Sequence, residues 1–156
     1  MRWVDGSEID FQQFSGEEIC EKLASEMWNY PHEQWLQCAD FIQNAIFIID
    51  FDTVINMEGF PTPYFGYFTT DYYAKIIKAF QAIGDNNDAD ILKEAGRIDS
   101  HNQELLDSTK DKNEWDKLYD KFSEELDVLE NQLYLNTDFD MWAMLYKYLD
   151  EHIRKL

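Results

Sequence analysis

The sequence predicts an all-α fold: a single compact domain of about seven or eight helices. Three observations carry that reading. Apolar residues recur every three to four positions through most of the chain, as they do on the buried face of a helix. Helix-start and helix-stop residues stand at the ends of those stretches. And the chain is 45% hydrophobic and 16% aromatic, far from the composition of a disordered acidic polymer. A length of 156 residues suits one domain.

Residues 1–14 read as an N-terminal arm that Trp3, Ile9, Phe11 and Phe14 could pin to the remainder, residues 15–156. Ser15-Gly16-Glu17-Glu18 has the S-x-x-E form of a capping box, in which each side chain satisfies an orphan amide at the helix start. Cys20, Leu23, Ala24, Met27 and Trp28 follow at helical spacing, so a helix is expected over about 16–29. Pro31 suits the first turn of a second helix. Trp35, Ala39, Ile42, Ile46 and Ile49 continue one stripe, which predicts an unbroken helix through them.

Asn56 to Phe68 breaks the period with Gly59, Pro61, Pro63 and Gly66. Its aromatics, Phe60 to Phe68, could form the lip of a ligand pocket but read first as core, and Thr62-Pro63 could cap a short helix. A third long helix is expected from about Asp71, with Tyr73, Ile76, Ile77, Phe80 and Ile83 buried. Gly84 falls where a left-handed terminating residue is expected. Asn87 or Asp88 could cap the next helix, which buries Ile91, Leu92 and Ala95. Residues 99–112 are polar and read as a short helix and a loop.

The clearest period runs from about Asn113 to Leu135. Trp115, Leu118, Tyr119, Phe122, Leu126, Leu129 and Leu133 gather on one face when each residue advances about 100°. Asn136-Thr137-Asp138 interrupts the chain. A last helix carries Trp142, Leu145, Tyr146, Leu149 and Ile153.

Charge is the strongest compositional signal. The chain has 13 basic and 32 acidic residues, a formal net charge of −19. Direct binding to DNA, RNA or an anionic membrane is excluded as the main activity, because their phosphates would be repelled. From Met1 to Ala74, Arg2 and Lys22 are the only basic residues beside thirteen acids. Cys20 and Cys38 form no metal spacing and suit a reducing compartment. No signal core or membrane span is apparent, so a cytoplasmic location is expected.

Catalytic motifs are absent. Asp85 to Asp90 resembles the start of a calcium loop, but Ala89, Asp90 and Gly96 stand where that loop needs an oxygen ligand, Gly and Glu. It reads as a capped turn. Asp50-x-Asp52 and Asp138-x-Asp140 could each hold Mg²⁺, but residues two apart on a helix point in different directions, so both pairs read as solvated caps or helix-flank charges. His32, His101 and His152 are dispersed, with no HExxH. No phosphate loop, nucleophile elbow or dinucleotide motif occurs. No cofactor, metal site or catalytic residue is predicted, and the chain reads as a binding protein rather than an enzyme.

On the Asn113–Leu135 helix, Asp116, Asp120, Glu124 and Asp127 fall at about 100°, 140°, 180° and 120° from Trp115. They form a stripe beside the apolar face, with Lys117 and Lys121 at its far edge. The stripe is about 16 Å long. Its charges recur at roughly 4.5–6 Å, near the axial rise of about 3.4 Å between phosphates of one DNA strand. Glu17, Glu18 and Glu21, with Glu26, form a second acidic concentration.

Asn56-Met57-Glu58-Gly59-Phe60, Tyr64-Phe65, Ala79 to Gly84 and Ala89 to Ala95 follow one another in an order that resembles the bacterial family of DNA mimic protein 19. Leu126-Asp127 and Tyr148-Leu149-Asp150-Glu151-His152 stand where its later elements belong. The resemblance covers about residues 35–156. Glu58 replaces the first motif glycine and the motif glutamine is missing, whereas Gly59 and Phe60 match. The motif reads as a builder of the fold rather than a catalytic site. The resemblance implies an all-α acidic protein that imitates duplex DNA and occupies the basic DNA-binding surface of a partner such as a transcription factor. Asp116, Asp120, Glu124, Asp127, Glu17, Glu18 and Glu21 are the candidate partner-binding residues. Two rival readings stay open: an immunity protein or antitoxin that neutralises a basic toxin, such as a nuclease, and a carboxylate-based metal enzyme. All but the last expect a basic protein partner, and a homodimer is also open.

Overall fold

The computed structural model describes residues 1–60 and 67–156. Among the described residues seven α-helices form the fold, and no strand is present. They are α1 (Gly16–Glu26), α2 (His32–Trp35), α3 (Asp40–Glu58), α4 (Thr70–Ala82), α5 (Asn86–Ser108), α6 (Lys112–Glu130) and α7 (Met141–Arg154). The all-α expectation holds.

Helix α3 is the axis of the core. Ala45 to Ile49 are all buried, so this stretch meets protein on every side. Such a helix is apolar all round. It packs against α4, α1 and α7. Helix α5 covers α4, and α6 lies outside α5. Helix α7 packs along α1. The acidic helix α6 is therefore peripheral, anchored through Phe122 and Leu126.

The N-terminal arm is docked. Trp3, Val4 and Phe11 are buried, and the Trp3 indole donates to Glu26 Oε2 at 2.6 Å. Phe11 meets Phe41 edge-on. The capping box forms as expected: Ser15 accepts from the Glu18 amide, and Glu18 accepts from the Ser15 amide.

Four helix expectations need correction. The stripe from Trp35 to Ile49 is not one helix. Ala39 is extended, with ψ of 150°, and Gln43 Nε2 donates to the Leu36 and Cys38 carbonyls at 3.0 and 2.7 Å. That side chain satisfies the carbonyls freed by the turn, so the stripe survives while the backbone breaks. Helix α3 then runs past Ile49 to Glu58. Thr53 and Asn56 lie within it, their side chains donating to the Ile49 and Asp52 carbonyls, and Gly59 closes the helix at φ +88°. Next, residues 99–108 continue α5 rather than forming a separate short helix. Asn102 donates to the Ile98 carbonyl, and Asp99 and Leu106 are buried. Finally, α6 ends at Glu130. Leu133 is buried in the turn beyond it, before a 3-10 turn at Tyr134–Asn136.

Gly84 has φ +91° and ends the α4 segment as expected. The cap of α5 is Asp85, not Asn87 or Asp88: its Oδ1 accepts from the Asp88 amide at 3.1 Å. Of the aromatic stretch, Phe60 and Phe68 are buried and Tyr67 is exposed. The expected Thr62-Pro63 cap and the Tyr64-Phe65 motif pair lie outside the described residues.

Candidate functional site

The seven predicted contact residues sit on two separate elements. Asp116, Asp120, Glu124 and Asp127 are exposed on α6, and Glu17, Glu18 and Glu21 are exposed on α1. Helix α6 packs chiefly on α5, whereas α1 packs on α7 and α3. The fold brings the four together through a shared helix face, and likewise the three. It does not join the two groups through a common helix interface.

Among the described residues, no Lys or Arg forms an ion pair with any of the seven. The side-chain ion pairs that exist are local: Lys22 with Glu26, Lys93 with Asp90, and Arg97 with Glu94. The seven carboxylates are thus left without ion-pair partners among the described residues. Glu18 differs from the others because its carboxylate is committed to the capping box.

Tertiary packing brings further carboxylates beside the predicted contact residues. Asp127 shares a depression of about 200 Å³ with Glu58, Phe60, Tyr67 and Tyr119. Partial burial first, and then the Asp127 charge, raises the pKa of Glu130. Glu21 lines another hollow with Asp52, Cys20, Trp142 and Tyr146. There burial first, then Glu17 and Glu21, push the Cys20 thiol up to about 12. Tyr146 is raised by burial, with Cys20, Glu17, Glu21 and Asp140 adding to it. The Asp127–Glu130 and Glu17–Cys20–Glu21 couplings run along single helices, whereas Glu58, Asp52 and Tyr146 join them only across helices.

Asp50 and Asp52 are not solvated charges. Both are half-buried within α3 and each takes a tyrosine hydroxyl: Asp50 from Tyr72 at 2.5 Å, Asp52 from Tyr134 in a short contact. Burial raises both carboxyls above their ordinary range, and the hydroxyls partly offset it. Asp140 caps α7 by accepting from the Ala143 amide. Asp85 and Asp88 are also buried. Asp88 Oδ1 accepts from the Tyr134 amide at 3.0 Å, so this turn ties α5 to the segment beyond α6. Burial and the adjacent Asp85 carboxyl push Asp88 up to about 8. The pair is structural and does not have a calcium-loop geometry. Among the described residues, no group of three His, Cys, Asp or Glu side chains is placed to hold a metal ion.

The motif residues build packing. Tyr148 accepts from Asn44 through its hydroxyl at 2.8 Å, Asp150 accepts from the Gly16 amide at 2.7 Å, and His152 stacks on Phe41. Ala89 and Ala95 are fully buried in α5. These contacts hold α7 to α1 and α3.

No helix among the described residues is long and apolar enough to cross a membrane. No curated protein and no solved structure matches the chain. A family model does match, across residues 37–152, which spans α3 to α7 and the motif residues just described. The chain belongs to the family of DMP19-like proteins.

Proposed function

We propose that the chain is a binding protein whose exposed carboxylates present a phosphate-like field to the basic DNA-binding surface of a partner protein. The observation that carries this reading is the exposed stripe of Asp116, Asp120, Glu124 and Asp127 on a peripheral helix, without basic partners among the described residues. Membership in the DMP19-like family supports it. A net charge of −19 would steer association with a basic groove and make it salt-sensitive. The α1 acids Glu17 and Glu21 would form a second contact area, and Glu18 would contribute field while holding its cap.

The test is capture of DNA-binding proteins from native bacterial lysate at low salt, followed by salt-step elution. A discrete DNA-binding protein should be retained, and duplex DNA should compete it off. Reversing Asp116, Asp120, Glu124 and Asp127 to Lys should weaken capture about tenfold or more. Unchanged capture by that variant would remove α6 from the interface. A single captured toxin that DNA does not displace would favour the immunity reading instead.

A further inference from the structure

Between α2, α3 and α4 lies an open pocket of about 450 Å³. His32, Asp50, Val54, Tyr67, Phe68 and Tyr72 are among the described residues that line it. Its walls are largely aromatic. Phe68 and Tyr72 stack at 5.1 Å with 17° between their planes, and His32 lies 5.2 Å from Tyr72. Phe47 meets Tyr72 edge-on from behind, at 5.2 Å and 84°. The Tyr72 ring is therefore held from several sides, and its hydroxyl holds Asp50 Oδ2. Asp50 Oδ1 receives no hydrogen bond among the described residues. No Lys or Arg is among the lining residues.

An aromatic wall next to a partly desolvated carboxylate is a chemical match for an organic cation. Ring faces attract a cation through their quadrupole. A carboxylate adds a charge-assisted hydrogen bond. A planar guanidinium can do both at once, because it stacks on rings and forks toward carboxylate oxygens, whereas an ammonium is a compact and more strongly hydrated charge. Alternatives fit less well. A neutral apolar ligand would leave the Asp50 carboxylate uncompensated, and an anion would be repelled by it.

We propose that this pocket receives the guanidinium of an arginine side chain from the basic partner, held against the aromatic wall and paired with Asp50 Oδ1. The source of the arginine rests on the reading of the chain as a binder of a basic protein; the affinity of the pocket for a guanidinium does not. Burial already raises Asp50, with the Tyr72 hydroxyl and then His32 pulling the other way. A bound cation would repay part of that desolvation. The pocket would give the interface a point of shape selection that a diffuse acidic field lacks, since surface charge chiefly steers encounter and suppresses wrong partners.

The experiment is an NMR titration of the full chain at pH 8 and fixed ionic strength, following the Tyr67, Phe68 and Tyr72 ring signals and the Asp50 carboxyl. The probes are N-acetyl-arginine amide and its neutral near-isostere N-acetyl-citrulline amide. The arginine probe should give saturable shifts at these signals, and the citrulline probe should bind at least about tenfold more weakly. Asp50→Asn should lose about tenfold for the arginine probe alone. Val54→Trp, which fills the pocket and spares the carboxylate, should also lose binding. Equal response to both probes, shifts that do not saturate, or full binding by a folded Asp50→Asn variant would each overturn the assignment. The α6 charge-reversed variant should bind the arginine probe within about twofold of the parent. Failure of the pocket and failure of the α6 surface are therefore separately readable.

Discussion

Replacing Asp88 by Asn should flatten the pH dependence of stability. Asp85 and Asp88 are both buried. Each has one oxygen on a backbone amide: Asp85 on Asp88, Asp88 on Tyr134. The second oxygen of each, Oδ2, is buried without a hydrogen-bond partner, a place where a proton on Asp88 would let one carboxyl donate to the other. Burial and the neighbouring Asp85 raise Asp88 to about 8, against about 3.9 in an unfolded chain. The folded state then binds more protons than the unfolded state as pH rises through this window. Stability from this proton is present below about pH 4 and is lost progressively up to about pH 8. The slope for one proton is about 1.4 kcal/mol per pH unit. For a chain of this size the slope corresponds to a fall in Tm of roughly 3–5 °C per unit. An Asn amide can donate to Asp85 and still accept from Tyr134, with nothing to ionise. Thermal melts from pH 5 to pH 9 should show the two proteins diverging, with Asp88→Asn the more stable at pH 8. Parallel slopes, or a variant less stable than the parent at pH 8, would refute the shared proton.

Two further outcomes are open to direct measurement. Gly16→Ala would place a Cβ 2.3 Å from the Tyr146 carbonyl oxygen and 3.0 Å from Leu149 Cβ; backbone cannot yield as a flexible side chain can, so α1 and α7 must separate. A loss of about 1–3 kcal/mol in denaturant unfolding is expected, and an unchanged midpoint would show that the helices do not meet this closely. Burial pushes the Cys20 and Cys38 thiols up to about 12 and about 11. The native protein should therefore resist a thiol-specific disulfide reagent at pH 8 and react fully once unfolded, whereas stoichiometric labelling of the native chain within seconds would contradict their burial.

Much of the helical framework is legible in the sequence because its signals are local. A capping box joins residues three apart, and an apolar stripe repeats within one turn. Ser15 and Glu18, Gly84, and the stripe of Phe122 and Leu126 all act as their spacing predicts. The break at Ala39 shows the limit of that reasoning. Trp35, Ile42, Ile46 and Ile49 keep their helical spacing and their burial on both sides of it. What turns the chain is the Gln43 side chain satisfying two carbonyls, which periodicity does not encode.

The acidic surface divides in the same way. The sequence by itself determined the charge of −19 and placed Asp116, Asp120, Glu124 and Asp127 along one helix, since facing along a helix follows from its pitch. Only the tertiary structure decided which carboxylates are surface and which are internal. Asp50 meets a hydroxyl 22 residues away, Asp52 one 82 residues away, and Asp88 an amide 46 residues away. In sequence these aspartates look like the solvated ones. Their desolvation and their partners arise where α3, α4, α5 and the turn beyond α6 come together, and a carboxylate's chemistry is set by that surrounding.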